Sequence, residues 1–180
     1  MSPNRIMFIR HAEKPGVPPG SDGVAADGKK ADESLTVRGW QRAGALAHFF
    51  SSQPALLPQT IFASGEGHGS KSNRPVETVT PLTDLLKETA KVVLVTKYLK
   101  DDLKPAIKDM LSRTGIVLVC WQHELIPSLV ALLPNAPPVP QHWPGSRFDI
   151  VWVCDATGTG WRFSQVPQLL LAGDSADPIS

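Results

Sequence analysis

Cysteine is scarce in this sequence: Cys120 and Cys154 are the two among 180 residues. Each sits inside an apolar run, Ile116–Trp121 and Phe148–Cys154. Two cysteines make no disulfide framework, and no zinc-ligand spacing accompanies them. They read as buried free thiols on adjacent strands, in a reducing, cytoplasmic setting. No metal or cofactor is expected. Long hydrophobic stretches are missing too. No segment approaches the roughly 18 unbroken apolar residues of a membrane-crossing helix, so no membrane partner is expected. The N-terminus lacks a signal peptide's basic region followed by a long apolar stretch. Nor is there an excess of one charge: 18 Lys and Arg stand against 17 Asp and Glu, a net +1. Nucleic-acid-binding chains carry a basic surplus, so no nucleic-acid partner is expected. Any cationic function must be local, in a pocket. Internal repeats are absent.

What is present is an ordinary hydrophobic share, 42%, on a chain long enough for one domain with a proper core, residues 1–180. Ile6-Met7-Phe8-Ile9 reads as a short buried strand within 5–10. Residues 15–34 are a polar loop leaving that strand's end, placed to wall a pocket. Thr36 reads as the N-cap of a helix running through Phe50. Thr60–Ala63 is a strand. Arg74-Pro75 opens a helix with Val76, Val79, Leu82, Leu85 and Leu86 on its apolar face, and Pro81 should kink or restart it. Lys91–Thr96 is a strand and Lys100–Ser112 a helix. Ile116–Trp121 is almost continuously apolar, as a central strand covered on both faces should be. Leu125–Leu133 follows as a helix, then a proline-rich connection over 134–147. Phe148–Cys154 and Trp161–Ser164 read as strands of a hairpin. Residues 173–180 read as a flexible tail. Such alternation predicts an α/β fold, a three-layer sandwich with a mainly parallel central sheet and helices on both faces.

The glycine-rich stretch Ser64–Arg74 invites a phosphate-cradle reading. It misses the P-loop pattern, because Ser70 stands where the second glycine should precede Lys71 and Ser72. A nucleotide-binding loop is therefore disfavoured, and His68 reads as a solvated loop residue.

Two strands end abruptly in polar residues that include a histidine. The first gives Arg10-His11-Ala12-Glu13-Lys14, the second Gln122-His123-Glu124. In a parallel sheet both ends lie on one edge, where ligands bind. Arg74, opening a helix after the strand 60–63, joins that edge. Topology thus brings Arg10, His11, Arg74 and His123 toward one crevice suited to an anion.

This ordered set resembles the histidine phosphatase superfamily, which includes the phosphoglycerate mutases. Arg10-His11 follows the first strand, Arg74 lies in Ser72-Asn73-Arg74-Pro75-Val76-Glu77-Thr78, and His123 follows the Val/Leu-rich strand. Leu35-Thr36 with Gly39 and Arg42-Ala43 is similar to the family's first-helix signature. The resemblance covers most of residues 5–125 and suits a compact member without large cap insertions. It implies that His11 attacks phosphorus and carries a phosphohistidine. A nucleophilic imidazole must be neutral, and nearby Arg10 and Arg74 disfavour its protonated form. Both guanidiniums match phosphate geometry, and His123 would be a further donor. The general acid is less defined: Glu124 ranks first, then Asp101 or Asp102, then Glu13. Lys14 and Ser70 are candidates to touch phosphate or substrate, and Trp143 with His142 to line the rim. The remaining tryptophans read as packing. The implied partner is a phosphorylated small molecule or a phosphoprotein. The alternatives are a catalytically weak phosphate-binding module and a mutase-like phosphotransferase.

Overall fold

The computed structural model describes residues 2–180. Its centre is a six-stranded sheet of β1 (Pro3–Arg10), β2 (Thr60–Ala63), β3 (Val93–Val95), β4 (Gly115–Trp121), β5 (Ile150–Ala156) and β6 (Trp161–Pro167). The strand order is β3-β2-β4-β1-β5-β6. β1 to β4 are mutually parallel, while β5 and β6 run antiparallel and close one side as a hairpin. The sheet is thus mainly parallel, as the alternation of strands and helices requires.

Helices cover both faces. α1 (Val37–Ser51) and α2 (Arg74–Thr89) pack Leu46, Phe50, Val79 and Leu82 against Met7, Ile9, Ile61 and Leu118. α3 (Leu103–Leu111) and α4 (Ile126–Ala131) bury Ala106, Ile107, Met110, Leu129 and Val130 against Ile6, Phe8, Phe62 and Val119 on the other face. Successive residues of β1 and β4 feed opposite cores, which is why Ile6–Ile9 of β1 and Ile116–Trp121 of β4 are unbroken apolar runs.

Four details differ from the sequence expectation. First, α2 runs unbroken through Pro81. Pro81 removes only the N–H that would reach the Glu77 carbonyl, and Val79, Leu82 and Leu86 on either side of it stay buried against the sheet. Second, the thiols are free and buried, but β1 lies between their strands: Cys120 pairs with Ile9 and Cys154 with Ile6. Third, residues 173–180 are packed rather than loose. Ile179 is buried, its carbonyl accepts from Gln165 Nε2 at 2.8 Å, and Asp174 bonds Arg42 at 2.7 Å. Fourth, Trp143 is fully buried, 4.8 Å from the Trp152 ring centroid, with Nε1 donating to the Arg147 carbonyl. It belongs to the core beneath α4, not to a ligand-facing rim.

Candidate active site

Parallel register builds the site. Arg10 pairs with Trp121, and the His11 N–H donates to the Trp121 carbonyl at 3.1 Å. His11 and the segment after β4 therefore leave the sheet side by side. The Ala12 N–H donates to Thr78 Oγ1 at 2.8 Å, and that hydroxyl donates to the Arg74 carbonyl at 2.7 Å. One threonine so ties the exit of β1 to the first turn of α2. Gly65 lets the loop after β2 pass tightly against β3's exit, because a Cβ there would run into the Thr96 carbonyl.

At this edge lies an open cavity of about 450 Å³. His11, Arg74, Gln122, His123 and Glu124 line it, with Lys14 and Ser70 among the residues expected there. Arg10 does not line the cavity. It is 1% exposed, its Nη1 donates to the Gly145 carbonyl at 2.7 Å, and its guanidinium lies 3.7 Å from the Phe148 ring centroid. The proline-rich connection thus serves to clamp Arg10. Desolvation lowers the Arg10 pKa to about 10, against the opposing charges of Glu124 and Glu13, so the group stays cationic at neutral pH. Arg74 donates through Nη1 to Ser72 Oγ at 3.1 Å and through Nη2 to the Asp32 carbonyl at 2.8 Å. Three guanidinium nitrogens remain buried without a partner: Arg10 Nε, Arg10 Nη2 and Arg74 Nε. Orphaned charged donors are costly, and their concentration beside one cavity suits an anion.

His11 is buried, with Nδ1 2.8 Å from the Ala12 carbonyl. A carbonyl only accepts, so Nδ1 carries the proton and Nε2 keeps its lone pair. Burial, followed by the charge of Arg10, pushes the His11 pKa down to about 3; Arg74 and His123 act in the same direction. The ring is neutral across the physiological range. This arrangement has the electronic form a nucleophilic imidazole needs.

His123 begins a short 3-10 turn (His123–Leu125), and its Nδ1 lies 2.8 Å from Glu124 Oε2. That contact, working against partial burial, lowers the Glu124 pKa to about 2. The other candidate acids are elsewhere. Glu13 is buried against Arg42, 2.9 Å from Nη2, and lines a separate cavity of about 230 Å³. Asp101 and Asp102 line a third cavity beside α3, with Asp102 Oδ2 accepting from the Leu99 N–H at 2.9 Å. His142 and His68 are exposed and line none of these.

Sequence reasoning missed Gln122, Glu33, Lys71, Ser72 and Lys100, all on the lining. Gln122 directly precedes His123, a signal that was available. Ser64 Oγ donates to its Oε1 at 3.0 Å, which turns the amide Nε2 away from that bond as a free donor. Lys100 follows the short β3, and nothing local marks it.

Six strands in this order, mostly parallel and with helices on both faces, form an α/β fold consistent with a phosphoglycerate mutase-like three-layer sandwich. Among solved structures, a candidate phosphohistidine phosphatase SixA from Nakamurella multipartitia matches with a TM-score of 0.52 and 17% identity, over 89% of this chain and 93% of that one. A candidate SixA from Agrobacterium tumefaciens matches with a TM-score of 0.50 and 17% identity, over 90% and 95%. A candidate α-ribazole-5′-phosphate phosphatase from Escherichia coli gives 0.51 and 13%, over 89% and 94%. No protein-family model and no curated protein matches the sequence.

Proposed function

We propose that the chain is one histidine phosphatase domain that hydrolyses a phosphomonoester or a phosphorylated protein side chain without a metal. The observation that carries this reading is the state of His11: neutral, with Nδ1 tied to the Ala12 carbonyl and Nε2 available, beside two arginines with orphaned donors. The names of the fold neighbours, phosphohistidine and ribazole-phosphate phosphatases, support the same class.

In the first step His11 Nε2 forms a bond to phosphorus while the P–O bond to the leaving group breaks. Arg10, Arg74 and His123 stabilise the charge on the phosphoryl oxygens. Glu124 gives its proton to the departing oxygen. In the second step water attacks the phosphohistidine, the N–P bond breaks, and Glu124 takes the water's proton. Glu124 is ionised in the free protein, so it must be protonated as substrate arrives. A dianionic phosphoryl group beside it raises its pKa by like-charge repulsion.

The low pKa of Glu124, about 2, favours one second reading, a phosphate-binding module in which Glu124 stays ionised and cannot protonate a poor leaving group. Both are separated by hydrolysis of p-nitrophenyl and phenyl phosphate in chelator across pH 4–9. His11→Ala should lose about 10³-fold or more on both substrates, as expected for a covalent nucleophile. Glu124→Gln should lose about 10²–10⁴-fold on phenyl phosphate and far less on the activated ester. Activity surviving in His11→Ala removes the nucleophile. Phosphate binding without turnover selects the binding module.

A further inference from the structure

Three lysines on the cavity lining, Lys14, Lys71 and Lys100, have ammonium groups with no ion-pair or hydrogen-bond partner among the described residues. Outside the cavity, Lys29, Lys30, Lys87 and Lys97 each reach an aspartate within 3.1 Å, while Lys91, Lys104 and Lys108 are exposed on the surface. The two carboxylates on the lining are already committed, Glu33 to Arg74 at 3.2 Å and Glu124 to His123 at 2.8 Å. Four cationic side chains therefore line the cavity against two carboxylates, with Arg10 close behind, in a chain whose net charge is +1.

The three lysines come from three different loops, after β1, β2 and β3, and each rests on fixed backbone. The Lys14 carbonyl accepts from the Val17 N–H at 3.2 Å, and the Lys100 carbonyl from Trp121 Nε1 at 2.9 Å. Lys71 follows buried Ser70, whose hydroxyl donates to the Gly65 carbonyl at 3.3 Å. Loops anchored in this way bring like charges together on one rim. Repulsion makes that unfavourable unless an anion is shared.

The geometry points to a second anion subsite formed by Lys14, Lys71 and Lys100, so that the substrate is a small phosphorylated molecule with a second anionic group, carboxylate or phosphoryl, near the transferred phosphoryl. This rests on the phosphatase reading of the His11 cavity. The arginines, His11 and His123 take the transferred group, and the charge of one phosphoryl leaves the rim lysines unneutralised. The cavity, about 450 Å³, falls in the range of small-molecule sites, roughly 300–1,000 Å³.

Calorimetric titration with three non-hydrolysable probes tests this: methylphosphonate, phosphonoacetate and methylenediphosphonate. In the wild type, at least one two-anion probe should bind roughly tenfold tighter than methylphosphonate, with the gain shrinking as salt rises. Which probe gains distinguishes carboxylate from phosphoryl. In the triple variant Lys14→Met, Lys71→Met, Lys100→Met the gain should fall below about twofold, and triple replacement by arginine should restore it. Equal gains in wild type and the methionine variant overturn the subsite while leaving the phosphatase reading intact. Failure of methylphosphonate to bind wild type counts against that reading itself, and failure of all three probes overturns both. No turnover is needed, so a slow enzyme does not obscure the result.

Discussion

At the scale of single residues the site turns on keeping His11 neutral. Burial and the Arg10 charge hold its pKa to about 3, below the ordinary 6.5, while the hydrogen bond to the Ala12 carbonyl pulls the other way. The sign follows. Between pH 6.5 and about 3 the unfolded chain binds a proton at this residue and the folded chain does not. Stability from this group is fully present above 6.5 and is lost as pH falls toward 3. An acid limb in kcat/KM between pH 7 and 5 therefore belongs to another group. Nitrogen NMR of the His11 ring in the free protein should show Nε2 unprotonated down to about pH 4. A midpoint near the ordinary 6.5 would sink the assignment. His11, His123 and Arg74 were legible because each stands where an apolar run or a loop gives way to charge. Trp143 and Glu13 were misread because their partners, Trp152 and Arg42, are distant in sequence. No local pattern encodes such a contact.

At the scale of elements, the start of α1 matters most for the loop that carries His11. Thr36 Oγ1 accepts from the Gly39 N–H at 3.1 Å, an N-cap bond, and the Thr36 N–H donates to the Glu13 carbonyl at 3.0 Å. Gly39 permits the approach, since a Cβ there would lie 2.6 Å from the Glu13 carbonyl oxygen. Thr36→Ala keeps the backbone bond and removes the cap. It should lower stability by about 1 kcal/mol, read as a shifted urea midpoint at constant slope. A shift near zero would mean that water replaces the cap. This N-cap was readable from the sequence because it is local. Strand existence and order along the chain were readable for the same kind of reason, periodicity bounded by glycine and proline. The unbroken course of α2 through Pro81 was not, because burial of Val79, Leu82 and Leu86 against the sheet outweighs one lost backbone hydrogen bond, and that burial is a tertiary contact.

For the molecule as a whole, one buried charge cluster joins the beginning of the fold to its last residues. Arg42 of α1 reaches Glu13 at 2.9 Å and Asp174 at 2.7 Å, with Gln168 Oε1 accepting from its Nη1 at 3.1 Å. Arg42 and Glu13 are almost completely inaccessible. Burial alone would raise the Asp174 pKa, yet hydrogen bonds from Arg42 and the backbone N–H groups of Leu170 and Leu171 hold it at about 2. Its contribution is present above the ordinary 3.8 and is lost as pH falls toward 2. Residues 173–180 read as a tail because seven polar or small residues surround one apolar Ile179, and the arginine that orders them lies far back in the chain. Arg42→Met should cost about 3–5 kcal/mol in urea unfolding, because it leaves Asp174 without its guanidinium partner and Glu13 with only Arg38, at 3.3 Å. The triple variant Glu13→Gln, Arg42→Met, Asp174→Asn removes the charges together and should recover a large part of that loss. Paired buried charges gain little over neutral packing, and the penalty lies in orphaning one of them. If the triple variant is as unstable as Arg42→Met alone, the cluster acts through shape and hydrogen-bond geometry, and the segment 173–180 is held by packing instead of charge.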